Sequence, residues 1–236
     1  MLISYPANRR GHSSFDWLDS YHTFSFAEFY DPERMGVSAL RVINDDIVAP
    51  ARGFGMHPHR DMEILTYVVS GTIAHKDSLG HAFTVPAGEV QRMTAGRGIV
   101  HSEFNASGSE DLRLMQIWIL PNQANLAPSY EQRAIPARDG LTWIASGDHT
   151  PDTLHIHQDT RIGRIQGVTS AQLPLSADRV GFLQVIAGHV QMSDRELAQG
   201  DAVAIYEQAD PQITLSNDAI ALWFDLPGFA PRAQSH

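Results

Sequence analysis

The chain has 236 residues, 43% of them apolar, enough for one large hydrophobic core or two modest ones. Its 17 basic against 27 acidic residues give a net charge of −10, which argues against a general phosphate-backbone binder, and direct nucleic-acid binding is not expected. With no cysteine there is no disulfide, no thiolate metal site and no cysteine nucleophile, so any metal must be held by nitrogen and oxygen.

The opening "MLISYPANRRGHSSF" lacks a signal-peptide core, and no 18 consecutive residues are apolar, so a soluble, cytoplasmic protein with no membrane segment is expected. From Val37 onward, short β-branched and aromatic runs follow one another between turn residues: "VSALRVIN", "MEILTYVVSG", "HAFTVP", "LRLMQIWIL" and "LTWIAS". Short strands at this spacing predict an all-β sandwich or barrel. Pro121, Pro128, Pro136 and Pro151 suit a crossing segment better than a sheet, and the domain boundary is placed there, with residues 1–130 as a first unit and 131–236 as a second. The C-terminal "DLPGFAPRAQSH" is expected to be an edge segment with a loose end.

The two halves resemble each other. "LTYVVSGTIAHKD" at 65–77 aligns with "FLQVIAGHVQMSD" at 182–194, matching Gly71 to Gly188, and "VPAGEVQRM" aligns with "LAQGDAVAI" through Gly88 and Gly200. The offset of 117 residues places Pro174, Ser176 and Val180 opposite His57, His59 and Glu63, so only the first half keeps a polar face. The second is expected to be structural.

In "GFGMHPHRDMEILTYVVSG", residues 53–71, His57, His59, Asp61 and Glu63 stand on alternate positions, as if on one strand face. One HxH pair among 12 histidines proves little, and the pair His155 and His157 is read as lying on an exposed strand. The first pair has company: "PAGEVQRMTAGRGIVHSEFN" supplies His101 and Glu103 with the same alternation. Two facing strands would bring His57, His59, His101 and Glu103 together, and such a shell suits Fe(II), Mn, Ni, Co or Cu with sites left for substrate and oxygen. His75 and His81 flank the hairpin turn "KDSLG" and are read as structural. Gln91 and Met93 line the cavity or sit in the core. Phe54, Met56 and Phe104 are expected to form an apolar wall.

HxH, three residues, Glu, then PxG and a later histidine resemble the two motifs of the cupin superfamily. "RGHSSFDWLDSYHTFSF" followed by "GFGMHPHRDMEILTYVVSG" and "AGRGIVHSEFN" resembles the pirin family of bicupins over nearly the whole chain, with a degenerate second cupin. The short bacterial members with quercetinase activity are the most similar. The resemblance implies two jelly-roll-like β-barrels and a metal held by His57, His59, His101 and Glu103, with the carboxylate from the second motif. The metal is expected to be a divalent ion, Fe(II) first, with Mn, Ni, Co, Cu or Zn as alternatives.

It further implies a dioxygenase that opens a flavonol ring such as quercetin's with O2, releasing carbon monoxide. Glu103 is then the base, with Glu63 as its fallback or as a partner near the barrel mouth. His12 and His22 receive no role. The alternative is a regulatory protein that uses the metal site to tune a surface for a protein partner, with no turnover of its own. An open apolar cavity beside the metal would favour the enzyme; a filled barrel would favour the scaffold.

Overall fold

The computed structural model describes residues 1–136 and 138–228. Strands dominate, and the described residues contain one short 3-10 turn, Ala7–Arg9, and no α-helix, hence none long and apolar enough to cross a membrane. The first half is a seven-stranded sheet in the order Ser129–Ala134, Glu89–Thr94, Glu63–Ser70, Leu112–Ile119, Leu40–Val48, Leu18–His22, Gly11–Phe15. Over it lies a four-stranded sheet in the order Gly53–His59, Ile99–Asn105, Thr72–Asp77, Ala82–Pro86. The second half repeats this plan, its large sheet centred on Val180–Ala187 and Ile220–Leu226. The expected all-β pair of barrels is thus present.

The duplication extends to backbone detail. Gly71 and Gly188 have φ of 84° and 66°, Gly88 and Gly200 of 88° and 87°, a left-handed conformation in which any side chain is strained. Edge strands are exchanged between the halves. Leu2–Tyr5 pairs with Ala202–Ile205 in the second half, and Ser129–Ala134, within which the expected 130/131 division falls, pairs with Glu89–Thr94 in the first.

The two large sheets pack face to face. Leu65, Tyr67, Met115 and Ile117 point away from the first barrel into one shared core with Phe182, Ile186, Leu222 and Phe224. Alternate residues such as Thr66 and Gln116 face the barrel interior, so these strands are buried on both sides and read as nearly continuous apolar runs. Arg113 spans the seam: it pairs with Asp45 at 2.9 Å and donates to the Ile186 carbonyl at 3.0 Å. Asp225 and Leu226, expected at an edge, close a strand flanked on both sides, because Pro227 interrupts the chain only after the ladder is complete. Residues 229–236 of the expected loose end lie outside the described residues.

Candidate metal centre

His57 and His101 are direct cross-strand partners. A bulge follows: Glu103 faces Phe54, so the strand Gly53–His59 carries one residue more than its partner between the two pairs. The Gly55 carbonyl accepts from His57 Nδ1 at 2.7 Å, which fixes the tautomer and leaves Nε2 free as a ligand atom. The ring centroids of His57, His59 and His101 lie 4.4 to 4.9 Å apart, and one nitrogen of each falls within a group no wider than 4.8 Å.

His101 is the centre of the arrangement. Neither of its ring nitrogens has a hydrogen-bond partner although the residue is 1% exposed. Unpaired buried polar atoms are costly, and an imidazole with a nitrogen free of hydrogen bonds fits the donor set of a metal site. Burial, with His57 and His59 adjacent, pushes the His101 imidazole down to about 2, and burial pushes His59 down to about 4. Both are neutral donors at neutral pH.

In the metal-free protein, His101 makes stability depend on pH. Unfolded histidine takes up a proton below about pH 6.5, but folded His101 does so only near 2, so unfolding binds protons between these values. The His101 contribution is complete above pH 6.5 and is lost on acidification. Asp46 and Glu103, pushed up to about 7 by burial, act in the opposite sense between about pH 4 and 7, so a difference measurement is needed. The stability of His101→Gln relative to the unsubstituted protein should rise by up to about 1.4 kcal/mol per pH unit below about pH 6. Denaturant melts at pH 7, 6 and 5 check this, and a constant gap would refute it.

Glu103 is 3% exposed and accepts hydrogen bonds at both oxygens. Gln91 Nε2 donates to its Oε1 at 2.7 Å, Thr66 Oγ1 to the same oxygen at 3.2 Å, and Gln116 Nε2 to Oε2 at 2.8 Å. With His75 and His101 it forms a second group of ligand atoms within 4.8 Å. The four expected residues thus occupy one region as two overlapping groups joined by His101. His75 is the residue the sequence reading left structural: it is buried, its Nε2 lies 3.3 Å from Asp77 Oδ2, and its Nδ1 has no partner.

Glu63 is elsewhere. Asp61, at φ 48°, turns the chain, so Glu63 begins a strand of the large sheet while His57 and His59 belong to the small one. The single-face reading of all four residues therefore fails. Glu63 is 0% exposed and accepts from Thr94 Oγ1 at 2.9 Å and from His157 Nδ1 at 2.7 Å. His157, read as exposed, is half-buried and ties the inter-half segment to the first barrel.

A cavity of about 480 Å³ opens onto His57, His59 and Glu103. Phe54, Phe26 and Trp118 form part of its apolar wall, with Trp118 edge-on to His59 at 5.0 Å. Of the three expected wall residues only Phe54 lines it, because the bulge gives it the parity of His57; Met56 and Phe104 have the opposite parity and are exposed. Met93 is in the core, and Gln91 holds Glu103.

The second barrel shows what the fold requires without a site. Thr66, Gln91 and His75 correspond to Leu183, Val203 and Met192, all buried in an apolar filling. That replacement pattern was a usable signal for all three.

Comparison with known proteins accords with this geometry. Residues 5–119 match the Pirin family model, and residues 143–226 match the quercetinase C-terminal cupin domain. The chain is 46% identical over 229 residues to quercetin 2,3-dioxygenase of Escherichia coli strain K12, covering 96% of this chain and 99% of that one. It is 40% identical over 225 residues to a pirin-like protein of Caulobacter vibrioides, covering 93% and 97%. The crystal structure of the bacterial pirin YhhW from Escherichia coli in complex with nickel(II) superposes with a TM-score of 0.92 at 45% identity, covering 97% of this chain and 100% of that one. With two cupin-type barrels and matches spanning nearly its whole length, the chain belongs to the pirin family.

Proposed function

We propose that this protein is a metal-dependent dioxygenase that opens a flavonol such as quercetin with O2, and that His57, His59, His101 and Glu103 hold its single divalent ion. The observation that carries the reading is the open cavity, which is lined by the two motif histidines and the buried carboxylate. Its size lies within the range of small-molecule sites, which favours an enzyme over a scaffold that needs only a surface for a protein partner. The quercetinase relative and the nickel-bound pirin support it. Fe(II) is our first choice of metal for a nitrogen-rich shell with one carboxylate, with Mn, Ni, Co, Cu or Zn as alternatives.

A bound divalent ion supplies Lewis acidity toward a substrate oxygen. The remaining work belongs to the chain. Glu103 takes the proton of the substrate 3-hydroxyl, its two oxygens oriented by Gln91, Thr66 and Gln116. Phe26, Phe54 and Trp118 bracket the aromatic rings and exclude water. Glu63, engaged by Thr94 and His157, positions the first barrel against the segment joining the halves rather than serving as the fallback base.

The test is loss of quercetin absorbance by purified protein of known metal content, under air and under nitrogen, with His57→Ala as control. Bleaching that requires oxygen, metal and His57 is expected. A stoichiometric metal with no turnover of any flavonol would overturn the proposal in favour of the protein-partner reading.

A further inference from the structure

One stretch of the cavity wall takes no part in holding the histidines or Glu103. Across the inner face of the first large sheet, cross-strand partners form a polar row: Gln91 with Thr66, Thr66 with Gln116, Gln116 with Asn44, Asn44 with His22. Gln91, Thr66 and Gln116 are committed to Glu103. Two residues along the same strands, Asp46 pairs with Ser20 and Ser20 with Ser13. Asn44, His22, Asp46, Ser20 and Ser13 all line the cavity.

The fold does not need this polarity. In the second barrel the same registers read Val203 with Leu183, Leu183 with Trp223, Trp223 with Gly163, Gly163 with Trp143, and Ile165 stands beside Leu141 where Asp46 stands beside Ser20. An apolar row folds equally well. Burying a carboxylate and an amide at these positions costs free energy that the first barrel spends on something else.

The wall is also internally arranged. His22 Nδ1 lies 2.9 Å from Asn44 Oδ1 and its Nε2 lies 2.9 Å from Ser13 Oγ. With the Asn44 oxygen accepting from Nδ1–H, the Ser13 hydroxyl donates to Nε2, and the Asn44 amide N–H groups are left for the cavity. Ser20 Oγ donates to Asp46 Oδ1, while among the described residues Asp46 Oδ2 accepts nothing. An acceptor and a donor therefore stand together two residues apart on one strand. From Gln116 to Ser13 the wall crosses three interstrand steps, about 14 Å, which suits a planar molecule of several rings with one end at the histidines.

We propose that Asp46, Asn44 and Ser20 form a hydroxyl-reading wall that receives a phenolic hydroxyl on a ring of the substrate remote from the metal. A phenol donates to the Asp46 carboxyl and accepts from the Asn44 amide, so the site selects polyhydroxylated aromatics over bare ones. The inference rests on the flavonol reading above and deepens it; Asp46 is a specificity residue, and it performs no chemistry.

Quercetin, with hydroxyls on both outer rings, and unsubstituted 3-hydroxyflavone, with none, separate the two ideas. In the metal-loaded protein, Asp46→Asn should raise KM for quercetin about threefold to tenfold more than KM for 3-hydroxyflavone, the loss expected for one hydrogen bond. Ser20→Ala, which keeps the carboxyl but frees it to rotate, should act in the same sense and less strongly. It decides the matter if Asp46→Asn does not fold. Equal effects on both flavonols, or none, would overturn the wall while leaving the dioxygenase reading intact. If the protein binds flavonols, followed by quenching of tryptophan fluorescence, but turns over neither, the dioxygenase reading fails and the same comparison in Kd decides the wall. A wild-type protein with no preference for quercetin in either KM or Kd overturns it as well.

Discussion

His101→Ala should lower metal occupancy and flavonol turnover further than any other single substitution in the first barrel. His101 is the only residue in both ligand groups, and the only histidine of the trio with both nitrogens buried and unpaired. Replacing a residue that only orients a ligand costs roughly 10- to 100-fold in affinity or activity, so removal of the central ligand should cost more than about 100-fold. Gln116→Ala, which takes one donor from Glu103, provides the internal scale and should fall within that 10- to 100-fold range. Metal analysis after dialysis, together with turnover at saturating metal, separates the two variants: added metal should rescue Gln116→Ala in large part and His101→Ala hardly at all. Equal rescue of both would show that His101 is not a ligand.

How much of this was legible in the sequence depends on whether a feature is local to one strand. His57 and His59, and His101 and Glu103, were legible because alternation along a strand is a local property and their two strands are direct neighbours. Glu63 was misplaced because the same alternation was continued through Asp61, where the chain leaves one sheet for the other. Thr66 and Gln91 carried a signal in their apolar counterparts Leu183 and Val203, but their partnership with Gln116 did not show. Only the lateral order of strands puts the three side by side around Glu103. His75 could have been found: it lies two positions before Asp77, as His101 lies before Glu103, and its counterpart Met192 is apolar.

The exchanged edge strands were invisible for a related reason. Leu2–Tyr5 opens the expected first unit, residues 1–130, yet its ladder partner is Ala202–Ile205. Nothing in a four-residue strand names a partner 200 residues away. The repeat between the halves, by contrast, was carried by glycines whose positive φ admits few substitutes, and these hold matching places in both halves.

Phe182→Ala should reveal how far the site depends on the second half. Phe182 is 0% exposed and its ring lies 5.6 Å from Tyr5, 5.5 Å from Phe24 and 6.0 Å from Phe224, so it joins the exchanged N-terminal strand, the first half and the second. Truncating a buried phenylalanine costs about 3–5 kcal/mol. In a chain of this size that corresponds to a fall in Tm of roughly 6–20 °C. Since Phe24 follows His22 and Thr23 at the end of a cavity-lining strand, and Thr23 Oγ1 donates to Gln184 Oε1 at 3.0 Å across the seam, the first barrel should melt together with the second in a single transition. A double-mutant cycle of Phe24→Leu with Phe182→Leu isolates the contact, with a coupling of about 0.5–1.5 kcal/mol expected for an aromatic pair. Calorimetry provides the test. Two separate transitions, or a loss below about 1 kcal/mol, would mean that the metal barrel stands by itself and the second half only covers it. One transition with the full loss would make the apolar barrel the support on which the polar one can carry buried histidines, carboxylates and an open cavity.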